Sequence, residues 1–335
     1  MAINSVQFQK GLSMTEFFDR YGSQDQCEQA VIEARWPKGF VCPDCAGLNS
    51  RSFRRDGLLY WECVDCRHQT SLICGTIFQA TKLALPRWFL AMHLLTRTKN
   101  GTSALELKRD LGVCYKTALL LKHKIMEVMR LREDSRQLSG RIEIDDAYLG
   151  GERVGGKPGR GSENKVSFVA AVQTTELGHP VLCCLAQTAF TNKALEDFAA
   201  KSVVLPATIV SDGLGCFAAL AKLGMAHDRF VTGGGSACVR LPQFSAVNTL
   251  LGNLKTSFTG TFHAFDFAKY AHRYLGELQY RFNRRFDLKR ILPRLLVAAV
   301  LTPAKPRRIL AEGLTETCHQ SGATMVCKAM LGCTN

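Results

Sequence analysis

Four cysteines constrain this chain more than any other residues do. Cys42-Pro43-Asp44-Cys45 is followed, after seventeen residues, by Cys63-Val64-Asp65-Cys66. Two Cys-x2-Cys knuckles at that separation bring four thiolates round one zinc ion with every position filled, so the ion is structural. The segment between them, Ser52 to Arg55 and Leu58 to Glu62, reads as a hairpin that turns through Asp56-Gly57. A zinc ribbon is predicted over 41–75. Arg51, Arg54, Arg55 and Arg67 on it are either nucleic-acid contacts or solvated surface charges. The chain has fourteen cysteines, and the remainder, including the adjacent Cys183-Cys184, are scattered. With no secretory pattern at the N-terminus, that scatter fits a reducing cytosol.

Charge narrows the partner. Lys and Arg outnumber Asp and Glu by 43 to 29, a formal net charge of +14. Such a surplus implies a polyanion, with nucleic acid first among the candidates. No apolar run reaches the roughly 18 residues of a membrane span; the stretch from Leu295 to Leu301 is far too short.

Residues 1–40 read as a helical packing segment, with Phe17, Phe18 and Tyr21 on plausible inward faces. After the ribbon the period is helical again. Pro86 suits the first turn of one helix, Thr102 to Leu111 forms a second, and Gly112-Val113 breaks it. A third opens at Tyr115-Lys116-Thr117 and runs to about Met129. Helix, glycine turn and helix make the helix-turn-helix pattern over 76–135, which would put Tyr115, Lys116 and Thr117 at a DNA groove. A three-helix packing unit shares that spacing. The charged stretch 130–140 is the expected boundary to a core spanning 140–290.

Beyond it the texture becomes α/β. Arg141-Ile142-Glu143-Ile144-Asp145-Asp146 alternates apolar and charged residues, a half-buried strand that delivers a carboxylate near its end. The glycine-rich loop 150–161 could lie along phosphates, but it lacks the Gly-Lys-Ser/Thr ending of a nucleotide loop, which excludes an ATPase of that type. Strands over 166–174 and 180–186 and a helix from Lys193 follow. The strand Ala207 to Gly213 then ends on Asp212. Adjacent parallel strands would bring Asp145 and Asp212 together as hard-oxygen ligands for Mg²⁺ or Mn²⁺. On a helix from Phe244, Asn248 and Lys255 are seven apart and share one face.

These residues resemble a known family, the insertion-sequence transposases with an Asp, Asp, Asn, Lys catalytic set, a branch of the DDE superfamily with a ribonuclease-H-like core. The resemblance rests on Glu143 to Gly151, Ser211-Asp212-Gly213, Val247 to Lys255, Gly260-Thr261-Phe262-His263 and Tyr280 to Arg285, and runs from the ribbon to about residue 312. It implies an α/β, ribonuclease-H-like mixed-sheet catalytic core preceded by the zinc ribbon and helix-turn-helix. Asp145, Asp212, Asn248 and Lys255 take the catalytic places. Asp145 would bridge two Mg²⁺ or Mn²⁺ ions, Asp212 and Asn248 would complete one each, and Lys255 would touch the bound DNA end. Glu143 and Asp146 read as support rather than ligands.

The implied reaction is cleavage at transposon ends and joining of the 3′-hydroxyl to target DNA. The implied partner is double-stranded DNA, held by a homodimer or larger assembly in the cytoplasm, at the nucleoid. Most DDE enzymes place glutamate where this chain has Asn248. An inactive or domesticated DNA-binding protein is therefore the alternative reading, and a nuclease that cuts without joining is a third. Between Lys255 and Arg308 there are twelve basic and three acidic residues. Arg281, Arg284 and Arg285 are the expected backbone contacts, and 291–335 reads as a basic helical extension with a poorly patterned tail.

Overall fold

The computed structural model describes residues 8–151, 157, 162, 164–231, 241–262 and 265–311. Two short helices come first, α1 (Met14–Tyr21) and α2 (Gln24–Arg35). Each opens with a capping box, Ser13 with Glu16 and Ser23 with Gln26, which satisfies orphan amides at the helix start. The ribbon follows as β1 (Ser50–Arg55), β2 (Leu58–Cys63) and β3 (Gln69–Ser71), all antiparallel. Arg55 pairs with Leu58, leaving Asp56 and Gly57 as the turn, with φ of 50° and 77°. Positive φ at both central residues is what a type I′ hairpin turn requires.

Three helices continue the chain: α3 (Leu85–Arg97), α4 (Ala104–Leu111) and α5 (Tyr115–Glu133). Gly112 closes α4 in the left-handed region with φ of 62°, as the sequence break predicts. The third helix runs past Met129 to Glu133. Its charged end persists because Glu127 and Glu133 are buried against Arg273 of a later helix and Arg284 of the turn that follows it. The ribbon, α1 to α5 and a late helix, α9 (Ile291–Leu301), share one buried apolar cluster that includes Trp61, Phe78, Phe89, Met129 and Leu295.

The second body is a five-stranded sheet built from β4 (Leu138–Leu149), β5 (Val166–Thr174), β6 (Pro180–Gln187), β7 (Val203–Ser211) and β8 (Ala226–Arg229). Their order is β6-β5-β4-β7-β8. β4, β5 and β6 form an antiparallel meander, whereas β7 and β8 join β4 in parallel. Both faces are covered, and the two-residue period of β5 shows how. Phe168, Ala170 and Val172 face the helices α7 (Ser245–Ser257) and α8 (Phe267–Phe282). Val169 and Ala171 face α6 (Asn192–Ser202). This is the ribonuclease-H-like mixed sheet the sequence implies. Among the described residues no helix is long and apolar enough to cross a membrane, and no disulfide forms.

Three arginines depart from expectation. Arg281 and Arg284 are 8% and 6% exposed. Arg281 donates to the carbonyls of Thr98 and Lys99 and lies 3.6 Å from Glu277. Arg284 pairs with Glu133 and stacks 3.5 Å over the Tyr280 ring. Arg285 donates to the carbonyls of Pro180, Val181 and Phe282 and lies against the Phe282 and Phe286 rings. Their side chains turn into the protein rather than towards a phosphate backbone: Arg281 ties α8 to the loop after α3, and Arg284 and Arg285 tie the turn after α8 to α5 and β6. The aromatic residues of this region mostly pack as core, although Phe286 is 51% exposed.

Candidate metal centres and nucleic-acid interface

The four ribbon cysteines converge, with one sulfur from each within 4.8 Å of the others. Cys42 to Cys66 and Cys45 to Cys63 are both 3.6 Å apart. Thiolates about 2.3 Å from a tetrahedral zinc stand about 3.8 Å from one another, so the donor set fits that ion. Each knuckle is bent by its own backbone. Cys42 N–H donates to Gly47 O, and Ala46 N–H returns to Cys42 O. Cys63 and Arg67 repeat the pattern with His68. Ala46 and Arg67 carry the positive φ this bend requires, 60° and 63°. Of the ribbon arginines, Arg54 is taken by Glu28 and Asp25, and Arg67 by Glu62.

The second cluster is made of oxygen. Asp145, Asp146 and Asp212 each place a carboxylate oxygen within 4.8 Å of the others. The register explains why. Ile144 of β4 is opposite Ser211 of β7 in the parallel pair, so the next residue on each strand is an aspartate at the same edge. Asp212 lies one residue past the end of β7, where its Oδ1 accepts the Leu214 N–H at 3.0 Å. Arg229 of β8 donates to the Gly213 carbonyl at 2.9 Å. Gly213 has φ of 93°, and a Cβ there would meet Arg229 Nε at 2.8 Å, so the turn that presents Asp212 requires glycine. Ser211 Oγ and His227 Nε2, 2.8 Å apart, tie the same strand end to β8.

Asp145 Oδ1 accepts the Asp146 N–H at 2.9 Å. Its carboxyl is nevertheless pushed up to about 7, by burial first and then by the charges of Asp146 and Asp212. That N–H and Lys255 pull the other way. Buried carboxylates crowded together without a cation cannot all ionise cheaply, and hard oxygen donors of this kind suit Mg²⁺ or Mn²⁺. Asn248 and Lys255 both lie on α7, as the sequence predicts. Lys255 is exposed and is felt electrostatically by Asp145. Asp146, read from sequence as support, is part of the cluster itself.

Tyr115, Lys116 and Thr117 form the first turn of α5, with Tyr115 and Lys116 exposed. They line a cleft of 810 Å³ whose other walls include Phe262, Tyr274 and Arg307. Lys122, inside it, donates to Thr102 O at 2.8 Å and lies 3.9 Å over Phe262. Burial lowers its ammonium to about 8. Sequence patterning gives no signal for this lysine, because it occupies an ordinary position on a basic helix. His263, most of the glycine-rich loop (152–156 and 158–161) and the tail cysteines Cys318, Cys327 and Cys333 lie outside the described residues.

Comparison with known proteins finds two family matches, one spanning each cluster. Residues 137–283 match the ISXO2-like transposase domain, and residues 22–69 match the transposase zinc-ribbon domain. By both domains this chain is similar to the DDE-type insertion-sequence transposases with an N-terminal zinc ribbon. The ISXO2-like match holds the whole sheet together with Asp145, Asp212, Asn248 and Lys255. The zinc-ribbon match holds all four thiolates. The chain is also 28% identical over 134 residues to an uncharacterized protein in transposable element ISH50 of Halobacterium salinarum. That stretch is 38% of this chain and 42% of the relative, so the likeness spans about two fifths of that protein.

Proposed function

We propose that this chain is a DNA transposase that cleaves the ends of an insertion element and joins the freed 3′-hydroxyl to target DNA by phosphoryl transfer. The observation that carries the reading is the convergence of Asp145 and Asp212 at one edge of neighbouring parallel strands inside a transposase domain. Asp145, Asp212 and Asn248 are the proposed holders of Mg²⁺ or Mn²⁺, with Asp146 close enough to assist. Bound there, divalent cations supply Lewis-acid stabilisation of charge on the reacting phosphate oxygens.

The chain's own groups do the rest. Asp145 presents its carboxylate from a rigid strand, and the raised proton affinity of that carboxyl makes the site sensitive to pH near neutrality. Lys255 contacts a phosphate or terminal base of the bound end. Hydrolysis breaks one phosphodiester at the element end and frees a 3′-hydroxyl. In the joining step that oxygen forms a bond to a target phosphorus, and the target's own 3′ oxygen leaves. Tyr115, Lys116 and Thr117 bind duplex DNA from the first turn of α5, while the zinc ribbon holds its region in shape. We assign 41–75 to the ribbon, 76–135 to DNA binding and 140–290 to catalysis. Two ends must be held together for joining, so the working form is a homodimer or larger assembly on DNA, in the cytoplasm.

A strand-transfer assay with Mg²⁺ and element-end DNA, comparing wild type with Asp145→Ala and Asn248→Ala, tests this. Joining is expected in the wild type and absent in Asp145→Ala. Specific binding without any cutting or joining would instead support an inactive DNA-binding protein, and cutting without joining would support a nuclease. Joining that survives Asp145→Ala sinks the ligand assignment.

A further inference from the structure

One carboxylate of β4 stands outside the aspartate cluster and has no exposed surface. Glu143 is buried, 0% exposed. Its Oε2 accepts two backbone N–H groups from the first turn of α7, Ala246 at 2.9 Å and Val247 at 3.0 Å. Its Oε1 accepts from Arg141 Nη1 at 2.7 Å. Arg141 in turn donates to Thr174 Oγ1 at 2.9 Å and to the Gln243 carbonyl at 3.0 Å. One ion pair thereby ties β4, β5 and the chain entering α7.

The helix depends on this pair. α7 has no acidic residue in its first turn, and Phe244 at its start offers no side-chain cap. Its leading amides would be orphans without a partner, and a carboxylate at that end also complements the helix dipole. A local Ser or Asp cap would serve stability equally well, and a buried Arg–Glu pair is in general a poor source of stability. What a strand-borne cap adds is placement. Glu143 is two residues before Asp145, on the same face of β4. The two amides it holds belong to the residues just before Asn248.

We infer that Glu143, held by Arg141, is a positioning residue that fixes where Asn248 stands relative to Asp145 and Asp212. The inference rests on the ligand set proposed above. It makes the spacing between strand and helix ligands a property of one side chain rather than of general packing. Residues that orient metal ligands typically change metal affinity or activity by about 10- to 100-fold when removed.

The test uses the full chain and Mn²⁺ as probe, with binding followed by electron paramagnetic resonance and no substrate present. Glu143→Ala is expected to raise the Mn²⁺ concentration at half occupancy by about 10- to 100-fold and to speed hydrogen exchange over the first turn of α7. Glu143→Gln keeps an oxygen for the two amides and is expected to recover most of the affinity. Should Glu143→Ala not fold, Arg141→Met carries the test, because it leaves the cap but releases its anchor and should weaken Mn²⁺ binding measurably. Faster exchange with unchanged Mn²⁺ affinity, while Asp145→Ala binds poorly, overturns the inference alone. Wild-type-like Mn²⁺ binding by Asp145→Ala overturns the ligand set, and the inference with it.

Discussion

Asp145 and Asp212 face each other because their predecessors, Ile144 and Ser211, are opposite partners in a parallel strand pair. The β4–β7 register therefore makes the site, and a slip of one residue would turn one aspartate to the other face of the sheet. The register also crowds like charges, which has a measurable consequence.

In the metal-free protein the Asp145 carboxyl titrates at about 7 instead of the ordinary 3.8. Between those values the folded state binds the proton more tightly than the unfolded chain does. Stability therefore falls as pH rises through this window, and the full penalty is present above it. Asp145→Asn should stabilise the metal-free protein by about 4 kcal/mol at about pH 8 and by little at about pH 4. Denaturant unfolding in EDTA at the two pH values measures this. An equal gain at both would show that ionisation of the buried Asp145 carboxyl is not the cause. Protons compete with the cation for the same oxygens, so Mn²⁺ affinity should rise as pH climbs through 7.

The zinc site should be inseparable from the packing around it. Cys42, Cys63 and Trp61 belong to the N-terminal buried cluster, and Trp61 lies 4.8 Å from Trp36 between ring centroids. Cys63→Ser should lose bound zinc, since three thiolates leave the tetrahedral set incomplete. Tryptophan emission should shift to the red as the ribbon loosens. A variant that keeps about one zinc per chain by elemental analysis contradicts the four-thiolate assignment.

DNA affinity separates the exposed basic residues from the buried ones. Lys116→Ala should weaken duplex binding and lower the slope of log affinity against log salt by about 1, with no change in unfolding midpoint. Arg281→Ala should do the reverse, lowering the midpoint while binding per folded molecule persists. Fluorescence anisotropy at several salt concentrations reads the first effect, and thermal unfolding reads the second. A loss of salt slope in Arg281→Ala would restore it as a phosphate contact.

That contrast shows where sequence reasoning reaches and where it stops. Periodicity and turn residues carry local information, so the Asp56-Gly57 hairpin, the Gly112 break and strand 166–174 were legible. So was the meeting of Asp145 with Asp212, because a strand ending in aspartate is a local pattern and parallel neighbours are a short list. Burial of a charge depends on partners far away in the chain. Arg284 finds Glu133 151 positions earlier, and Glu143 finds Val247 104 positions later. Nothing near Arg281, Arg284 or Arg285 marks them as interior, and clustered arginines in a basic protein read as surface. Glu143 suffers the same ambiguity, since in a strand of alternating charge it looks like one more outward acid.

The strongest case of such distant pairing is Glu127 with Arg273, which joins α5 to α8. They are 6% and 2% exposed, and Arg273 Nε lies 3.1 Å from Glu127 Oε2. Burial alone would raise the Glu127 carboxyl, but Arg130 and Arg273 outweigh it and hold it at about 2. A depressed carboxyl contributes stability that is present above its unfolded value, near 4.5, and is lost as pH falls towards 2. Arg273→Ala leaves Glu127 buried with Arg130, 2.9 Å away, as its remaining ion partner, so the loss of one charged hydrogen bond should cost about 1.5–3 kcal/mol near neutral pH. Replacing both residues, as Arg273→Met with Glu127→Leu, also removes the buried carboxylate and should recover much of the loss. Glu127→Gln should flatten the acid side of the stability profile. Urea unfolding across that pH range checks all three variants. A cost below about 1 kcal/mol for Arg273→Ala would mean the pair is worth no more than a surface bridge, and it would then add little to the joint between α5 and α8.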